Sequence, residues 1–519
     1  MARLALKPDS SFFRKIVIGA VGARSVCSDL DAHGHRTLEL ERGSTDTKLW
    51  KDVKRKRVRI PDLVCVRCGQ RIESRAKTDP PLSMSHSDAD EARAWDFGLV
   101  DSDLIAFPVC VPVKEEYWSA GRLGGDASYW HERSWVRWRV GGKINYFRVA
   151  TFRSTRYARS TTKGVTEGSE TSVSWGAVFS SRTGTVEKIE KSRITIRRQP
   201  DGHRHTWTVP VDMQLVVAPG DQVDLNQVIA STVKPVADPE LACTASLSKA
   251  DISHLLHSRE RTQRFTAIKL ARLRNDSSFR DGVTELAEDK EEDIYIRLEA
   301  LSYLSAVCRC SPSFLFSPYL NNADPQTQLE SVIALSEVGT SEAVDLLSRL
   351  LDDKQRPYFF RSAVAWSLGR VGTEVATRRL VRAFCDIDVG IREQALEAIV
   401  SLAGDPVPEL LNGIRSADRD IAAGCAEALR RRQRGLAEEV ISRLAEDLRK
   451  PAPSPWTVWV LGHLPREQVV NAIAGLQESA PQLHYALSLL WSFLESWISR
   501  RWEVYPEPDA SGTEHDGIA

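Results

Sequence analysis

Three kinds of chemistry are packed into the stretch "RIPDLVCVRCGQRIESRAK", residues 59 to 77. Cys65 and Cys68 form a Cys-x-x-Cys-Gly turn. At that spacing two thiolates hold one face of a tetrahedral zinc ion, and the glycine after them permits the tight bend. Two further ligands must come from elsewhere. Cys27, His33, His35, His86 and Cys110 are the candidates, and Cys27 with His33 or His35 is the favoured pair. A pair of packed thiols in a short turn is the alternative. Asp62 and Glu73 form a second group. Two carboxylates brought side by side repel unless a divalent cation, Mg²⁺ or Mn²⁺, sits between them. A nearby lysine such as Lys77 then orients or activates a water and stabilises developing phosphate charge. Arg75 can hold a phosphate but stays charged, so it carries protons poorly.

For these groups to meet, the chain must fold back on itself. Asp62 belongs on one strand, the cysteine turn at the tip of a hairpin, and Glu73 on the returning strand. Positions i, i+2 and i+4 of a strand share a face, so Glu73, Arg75 and Lys77 project together. A helix is expected over "SDADEARAWDFG" (87–98), followed by an apolar strand in "DLIAFPVCVPV" (103–113). This order resembles the PD-(D/E)xK nuclease core, with Pro61-Asp62 as its first element. The resemblance implies that Asp62 and Glu73 bind Mg²⁺ and that a lysine assists phosphodiester hydrolysis. The chain departs from the pattern at Glu73-Ser74-Arg75, where the lysine is either replaced by Arg75 or displaced to Lys77. An inactive nuclease-like binder and an unrelated zinc-containing domain are the other readings.

A chain of 519 residues is long enough for two to four domains. Lys+Arg and Asp+Glu both number 70, so net charge says nothing of partners. The charges are nevertheless segregated. "KDVKRKRVR" (51–59) contains Lys54, Arg55, Lys56 and Arg57, and residues 133 to 166 hold no acid. A neutral chain with such segregation can carry a nucleic-acid face. In "SWVRWRVGGKINYFRVATFR" (134–153), a hairpin is expected to turn at Gly141-Gly142. There Arg137, Arg139, Arg148 and Arg153 interleave with Trp135, Trp138, Tyr146, Phe147 and Phe152. Such a surface neutralises phosphates and stacks bases, with Trp135, Arg137 and Arg139 as its leading contacts. The alternative puts the aromatic rings in the core. Nine cysteines, mostly scattered, argue for a reducing compartment, and the N-terminal apolar run is too short for a signal peptide. No stretch is long and apolar enough to span a membrane. A cytoplasmic protein is expected.

The C-terminal half repeats. "LESVIALSEVGTSEAVDLLSRLL", "RSAVAWSLGRVGTEVATRRLVRAF" and "REQALEAIVSLAGDPVPELLNGI" superimpose on Gly339, Gly372 and Gly404. Each copy is an apolar helix, a glycine turn and a second helix. Such a hairpin cannot bury both faces alone, so the copies must stack. "DIDVGIREQALEAIVSLAGDP" resembles the HEAT-like repeat of the phycobilisome-lyase type. The resemblance implies a scaffold that binds proteins or nucleic acids, and lyase activity does not follow from it. Residues 183 to 232 alternate apolar and polar residues between turns, and their "PGDQVDLNQVIA" end resembles the barrel-sandwich hybrid module. No lysine sits in a carrier-type turn.

The expected fold class is therefore multidomain: an N-terminal α/β nuclease-like domain (1–125), a basic β-rich module (126–235), an all-α HEAT-like solenoid (246–502) and a disordered tail (503–519). The expected function is metal-dependent nucleic-acid cleavage, with a structural Zn²⁺ and a protein partner docked on the solenoid. The alternative is a non-catalytic scaffold that joins proteins to nucleic acid.

Overall fold

The computed structural model describes residues 10–40, 59–87, 90–113, 138–161, 170–199, 201–402, 404–432, 438–464 and 466–491. Contacts among them define two compact units. One runs to Ser311 and also takes in Ala323–Glu330; the other holds Pro312–Asn322 and the chain from Ser331 onward. This grouping departs from the boundaries expected at 125 and 246, because the first helices of the array pack within the β-rich unit.

That unit opens with helix α1 (Ser10–Ala32), which buries Val26 and Leu30 one turn apart. A five-stranded sheet follows, in the order β1 (Thr37–Glu39), β2 (Leu63–Cys65), β3 (Arg71–Ser74), β5 (Leu104–Phe107), β8 (Asn145–Arg148). β3 and β5 run parallel, with Ile72 opposite Leu104, and the other pairs are antiparallel. Side chains of a strand alternate between faces. Leu104 and Ala106 therefore join Val26, Leu30, Leu63 and Ile72 on the α1 side. Ile105 and Phe107 meet Trp95, Phe147, Phe152 and Trp175 on the other. Burial on both faces explains why "LIAF" is an unbroken apolar run.

Several local expectations are corrected. Among the described residues of 87–98 the helical part is a short 3₁₀ turn, Glu91–Arg93, after which Trp95 and Leu99 enter the core. The hairpin expected at Gly141-Gly142 does not pair its two arms. β7 (Trp138–Val140) pairs with β6 (Cys110–Pro112), while β8 pairs with β5. Tyr146 and Phe147 are buried on opposite faces of β8, which the large sheet can cover and a free hairpin cannot. The aromatics Tyr146, Phe147 and Phe152 thus serve the core. A strand β4 (Leu82–Ser87) leaves the sheet to pair with β10 (Glu170–Trp175), which also pairs with β9 (Ala158–Thr161).

The middle of the chain forms two small antiparallel sheets. One contains β12 (Gly184–Glu190), β13 (Arg193–Arg198), β14 (Arg204–Thr208) and β16 (Gln222–Val223). The other contains β11 (Ala177–Phe179), β15 (Gln214–Leu215) and β17 (Val228–Ser231). They share a core of Val186, Ile194, Ile196, Val223, Ile229 and Ala230.

Helices α2 (Val149–Arg153), α3 (Lys249–Leu256), α4 (Arg261–Leu273), α5 (Arg280–Glu288) and α6 (Ile294–Ala306) complete this unit. The join between sheet and helices is polar and buried. From β3, Arg71 makes a bidentate pair with Asp103 (Nε to Oδ1 2.8 Å, NH2 to Oδ2 2.5 Å), both side chains at most 4% exposed. Its remaining nitrogen donates to Thr262 (3.1 Å) and Thr266 (3.4 Å) of α4.

α8 (Pro325–Leu335) straddles the division, its residues up to Glu330 grouping with the first unit. The second unit holds α7 (Pro312–Leu320), α9 (Ser341–Asp352) and the hairpin of α10 (Tyr358–Val371) with α11 (Glu374–Arg382). Then come α12 (Val389–Val400), α13 (Val407–Gly413), α14 (Arg419–Arg431) and α15 (Glu438–Leu448). Gly372 caps the C-terminus of α10 and Gly339 lies in the turn that follows α8, with φ of +64° and +67°, the left-handed conformation that a Cβ disfavours. The next residue, Thr340 or Thr373, caps the following helix by accepting the N–H of Ala343 or Ala376. Neighbouring repeats are linked by ion pairs. Arg361 is buried against Asp386, whereas Arg392 meets Asp420 at 3.5 Å on the surface.

Removing one partner of a buried ion pair leaves the other charged and desolvated. Arg71→Met is therefore expected to destabilise the β-rich unit by about 3–5 kcal/mol in urea unfolding. Adding Asp103→Leu should recover most of that loss, since neither charge then remains buried.

Candidate metal centre and carboxylate pair

The loop after α1, the hairpin tip between β2 and β3, and the connector before α3 converge on one cluster. His35, Cys65, Cys68 and Cys243 present donor atoms that all lie within 4.8 Å of one another. The Sγ atoms of Cys65 and Cys243 are 3.9 Å apart, and Cys68 Sγ lies 3.5 Å from His35 Nδ1. The turn is built by backbone bonds: Gly69 N–H donates to Cys65 O (2.8 Å) and Cys65 N–H to Gln70 O (2.8 Å). Gly69 holds φ of +76°, and a Cβ there would meet Leu247 at 3.0 Å, so the residue after Cys68 has to be glycine. Hydrogen bonds from the Cys68 thiol, and then from the Cys68 and Arg36 amides, hold Cys65 far below the ordinary thiol range. Donation to Cys65, with burial, pushes Cys68 up. The Arg36 N–H lies 3.4 Å from Cys65 Sγ.

Two of the expected ligands lie outside this cluster. α1 carries Cys27 into contact with the sheet core beside Thr37, and burial raises its thiol pKa. His33 turns its Nδ1 to the Asp29 carbonyl (2.8 Å), one turn back along α1. His35 and Cys243 stand in their places. Of the remaining candidates, Cys110 is buried with its thiol on the Ile18 carbonyl, and His86 accepts the Trp95 N–H (3.2 Å). His35, the second histidine of "HGH", is one of the two histidines favoured beside Cys27 on the sequence. Cys243 gave no local signal, being 175 residues beyond Cys68 with no other cysteine near it in the sequence.

The carboxylates sit at the other end of β3. Asp62 Oδ2 accepts the Ser74 N–H (2.8 Å), which sets it across the strand pair from Glu73. Glu73 is 9% exposed and pairs with Arg75 at 3.0 Å. Arg59 lies in the same field: burial and the Arg75 charge lower its pKa, while Glu73, Asp62 and Asp96 oppose that shift. Two acids thus face two guanidinium groups. Arg59 donates to the Ala94 carbonyl (2.9 Å) and Arg75 to the Trp95 carbonyl (3.5 Å), which binds the 3₁₀ turn over this end of the sheet. β3 ends at Ser74, and Lys77 is reached through a single bridge to Val109. Its amine donates to the Ser83 hydroxyl (2.6 Å) and carbonyl and to the Pro81 carbonyl (3.3 Å), beneath the Phe107 ring.

Of the residues expected to bind nucleic acid, Arg139 is exposed on β7. Lys54, Arg55, Lys56, Arg57, Trp135 and Arg137 lie outside the described residues, as does 503–519. Among the described residues, no helix is long and apolar enough to cross a membrane.

Residues 313–400 match the family model of HEAT repeats. The C-terminal region is thus a HEAT-repeat array, joined to a β-rich N-terminal and middle region. Among solved structures, the chain is similar to an engineered protein at 15% identity (50% of this chain, 84% of that one, TM-score 0.24). It is also similar to YibA of E. coli at 14% identity (48% and 93%, TM-score 0.24). Human deoxyhypusine hydroxylase, solved with glycerol, gives 15% identity (48% and 96%, TM-score 0.18). No curated protein matches the chain.

Lys77 supplies a test of this geometry. Burial, and secondarily the Arg75 charge, lower its pKa to about 8 from the ordinary 10.5. Between those values the unfolded chain binds more protons than the folded one, so this lysine makes stability rise with pH from about 8 to 10.5. The buried thiols of Cys110 and Cys425, raised to about 11 and 12, act in the opposite sense. The readout is therefore the difference in unfolding free energy between wild type and Lys77→Met. That difference should grow in favour of the wild type as pH rises from 8 to 10, and a flat difference would place the amine in water.

Proposed function

We propose that this protein is a non-catalytic scaffold. Its HEAT-repeat array docks a protein partner, and the basic segment before β2, with Lys54, Arg55, Lys56 and Arg57, holds nucleic acid. Stacked repeats present one extended surface, which suits docking better than chemistry. The observation that carries the non-catalytic reading is the charge balance around Glu73. Arg75 already pairs with it, Arg59 stands in the same field, and Asp62 is bound to the Ser74 amide. A divalent cation placed there would meet two guanidinium charges. The lysine that should assist hydrolysis spends its donors on Ser83 and Pro81.

A second reading, Mg²⁺- or Mn²⁺-dependent cleavage, is favoured by the sheet itself. Asp62 leads into β2, Glu73 lies opposite on β3, and β3 runs parallel to β5. In that reading Asp62 and Glu73 would hold the metal, Arg75 would leave Glu73 for the phosphate, and Lys77 would serve the reacting water.

The discriminating experiment incubates the full chain with plasmid DNA and with RNA, in Mg²⁺ and then in Mn²⁺. Binding without cleavage is expected. Replacing Lys54, Arg55, Lys56 and Arg57 together by alanine should weaken binding and flatten the log–log salt slope by roughly 3. Metal-dependent cleavage that Asp62→Asn or Glu73→Gln abolishes would overturn the scaffold reading in favour of the nuclease. Absence of binding at low salt would remove nucleic acid as the partner.

A further inference from the structure

We infer that His35, Cys65, Cys68 and Cys243 bind one zinc ion, and that this ion fastens the β-rich region to the connector leading into the first helices of the array. The inference is independent of whether the protein cuts nucleic acid or only binds it.

Geometry is the first support. Zinc–thiolate bonds of about 2.3 Å and zinc–imidazole bonds of about 2.0–2.1 Å place tetrahedral donors about 3.5–3.8 Å apart. The separations here are 3.9 Å between Cys65 and Cys243 and 3.5 Å between Cys68 and His35, with every pair inside 4.8 Å. The two closest separations are near those of a tetrahedral zinc site. A disulfide would need sulfurs about 2.05 Å apart, which 3.9 Å is not. A polynuclear iron–sulfur cluster binds its thiolates to different irons and would spread them wider.

The histidine is already set for a metal. Its Nε2 lies 2.7 Å from the Leu241 carbonyl, an oxygen that can only accept. Nε2 therefore carries the proton, and the Nδ1 lone pair is left facing the three sulfurs. Ligating histidines are oriented in this manner, by a carbonyl or carboxylate on the far ring nitrogen. Three thiolates and one imidazole saturate a tetrahedron, so the site has no open position for a reacting water and its role is to hold structure.

What it holds follows from where the ligands come. Cys243 lies between the 3₁₀ turn Asp238–Leu241 and α3, and its N–H donates to His33 O (3.0 Å). Four residues on, Leu247 N–H donates to Arg67 O (2.8 Å) inside the cysteine turn. From the end of α4, Arg274 donates to the carbonyls of Val66, Arg67 and Leu247 at 2.6 to 2.9 Å. The turn, the connector and α4 are thus bonded around the cluster, and the ion would close that ring.

The test uses the full chain. About one zinc per chain is expected by elemental analysis, and Cys243→Ser and His35→Ala should each lose most of it. Cys27→Ser and His33→Ala should keep it. Because Cys243→Ser could unfold the protein, Cys243→His supplies a variant that retains four donors. With cobalt in place of zinc, the wild type should show the visible bands of tetrahedral Co²⁺ and thiolate charge transfer, and Cys243→His should lose about a third of the latter, one thiolate in three. Chelation should lower the melting temperature and expose the 242–248 connector to protease. A metal-free preparation, bound iron, or zinc content indifferent to Cys243 and His35 would overturn the proposal.

Discussion

The arginine at the start of β3 is the constraint on which the rest of the β-rich unit depends. Arg71 is almost wholly removed from water, so every polar atom it carries must be matched from within the protein. Asp103 takes one edge of the guanidinium and two threonines of α4 take the other. Burial raises the Asp103 pKa even though Arg71 opposes that shift. Asp103 also accepts the Val100 amide and so fixes the turn before β5. One side chain thereby sets the parallel approach of β3 and β5, the path of the chain into β5, and the seat of α4. This is why the first helices belong to the same compact unit as the sheet, although in sequence they read as the start of the repeats.

The repeats were the most legible part of the chain, because each carries an Ala- and Leu-rich helix followed by a glycine; at Gly339 and Gly372 that glycine is left-handed and a threonine cap follows it. Strands β3 and β5 were legible for a similar local reason. Their partners were less so. The run from Trp135 to Phe152 alternates aromatic and basic residues, a pattern that fixes strand character but leaves open which face meets the core. The structure gives Tyr146 and Phe147 to the two faces of the large sheet, a choice made by distant residues. The helix expected at 87–98 had suitable composition, but the chain gives Trp95 to the core, against Phe152 and Trp175, directly after a 3₁₀ turn.

The two chemical constellations teach different lessons. The Cys-x-x-Cys-Gly turn announced itself, and His35 stood close by, yet Cys243 could be found only by folding the chain. The carboxylate pair was the reverse case. Asp62 and Glu73 do approach across β2 and β3, as their spacing implies, but their surroundings decide what they can do. Arg75, two residues along, reaches back to Glu73 because i and i+2 share a strand face. The spacing that would aim a cation at a substrate also lets it neutralise its own neighbour.

The pairs between repeats carry a consequence for the array in salt. Several hairpins meet the next through an arginine–acid contact, and the contacts differ in their access to solvent. The Arg361–Asp386 link is sheltered and will feel little screening, whereas Arg392–Asp420 is long and open to counterions. Dissolved ions therefore weaken the Arg392–Asp420 contact more than the Arg361–Asp386 one, so the two seams answer differently to salt.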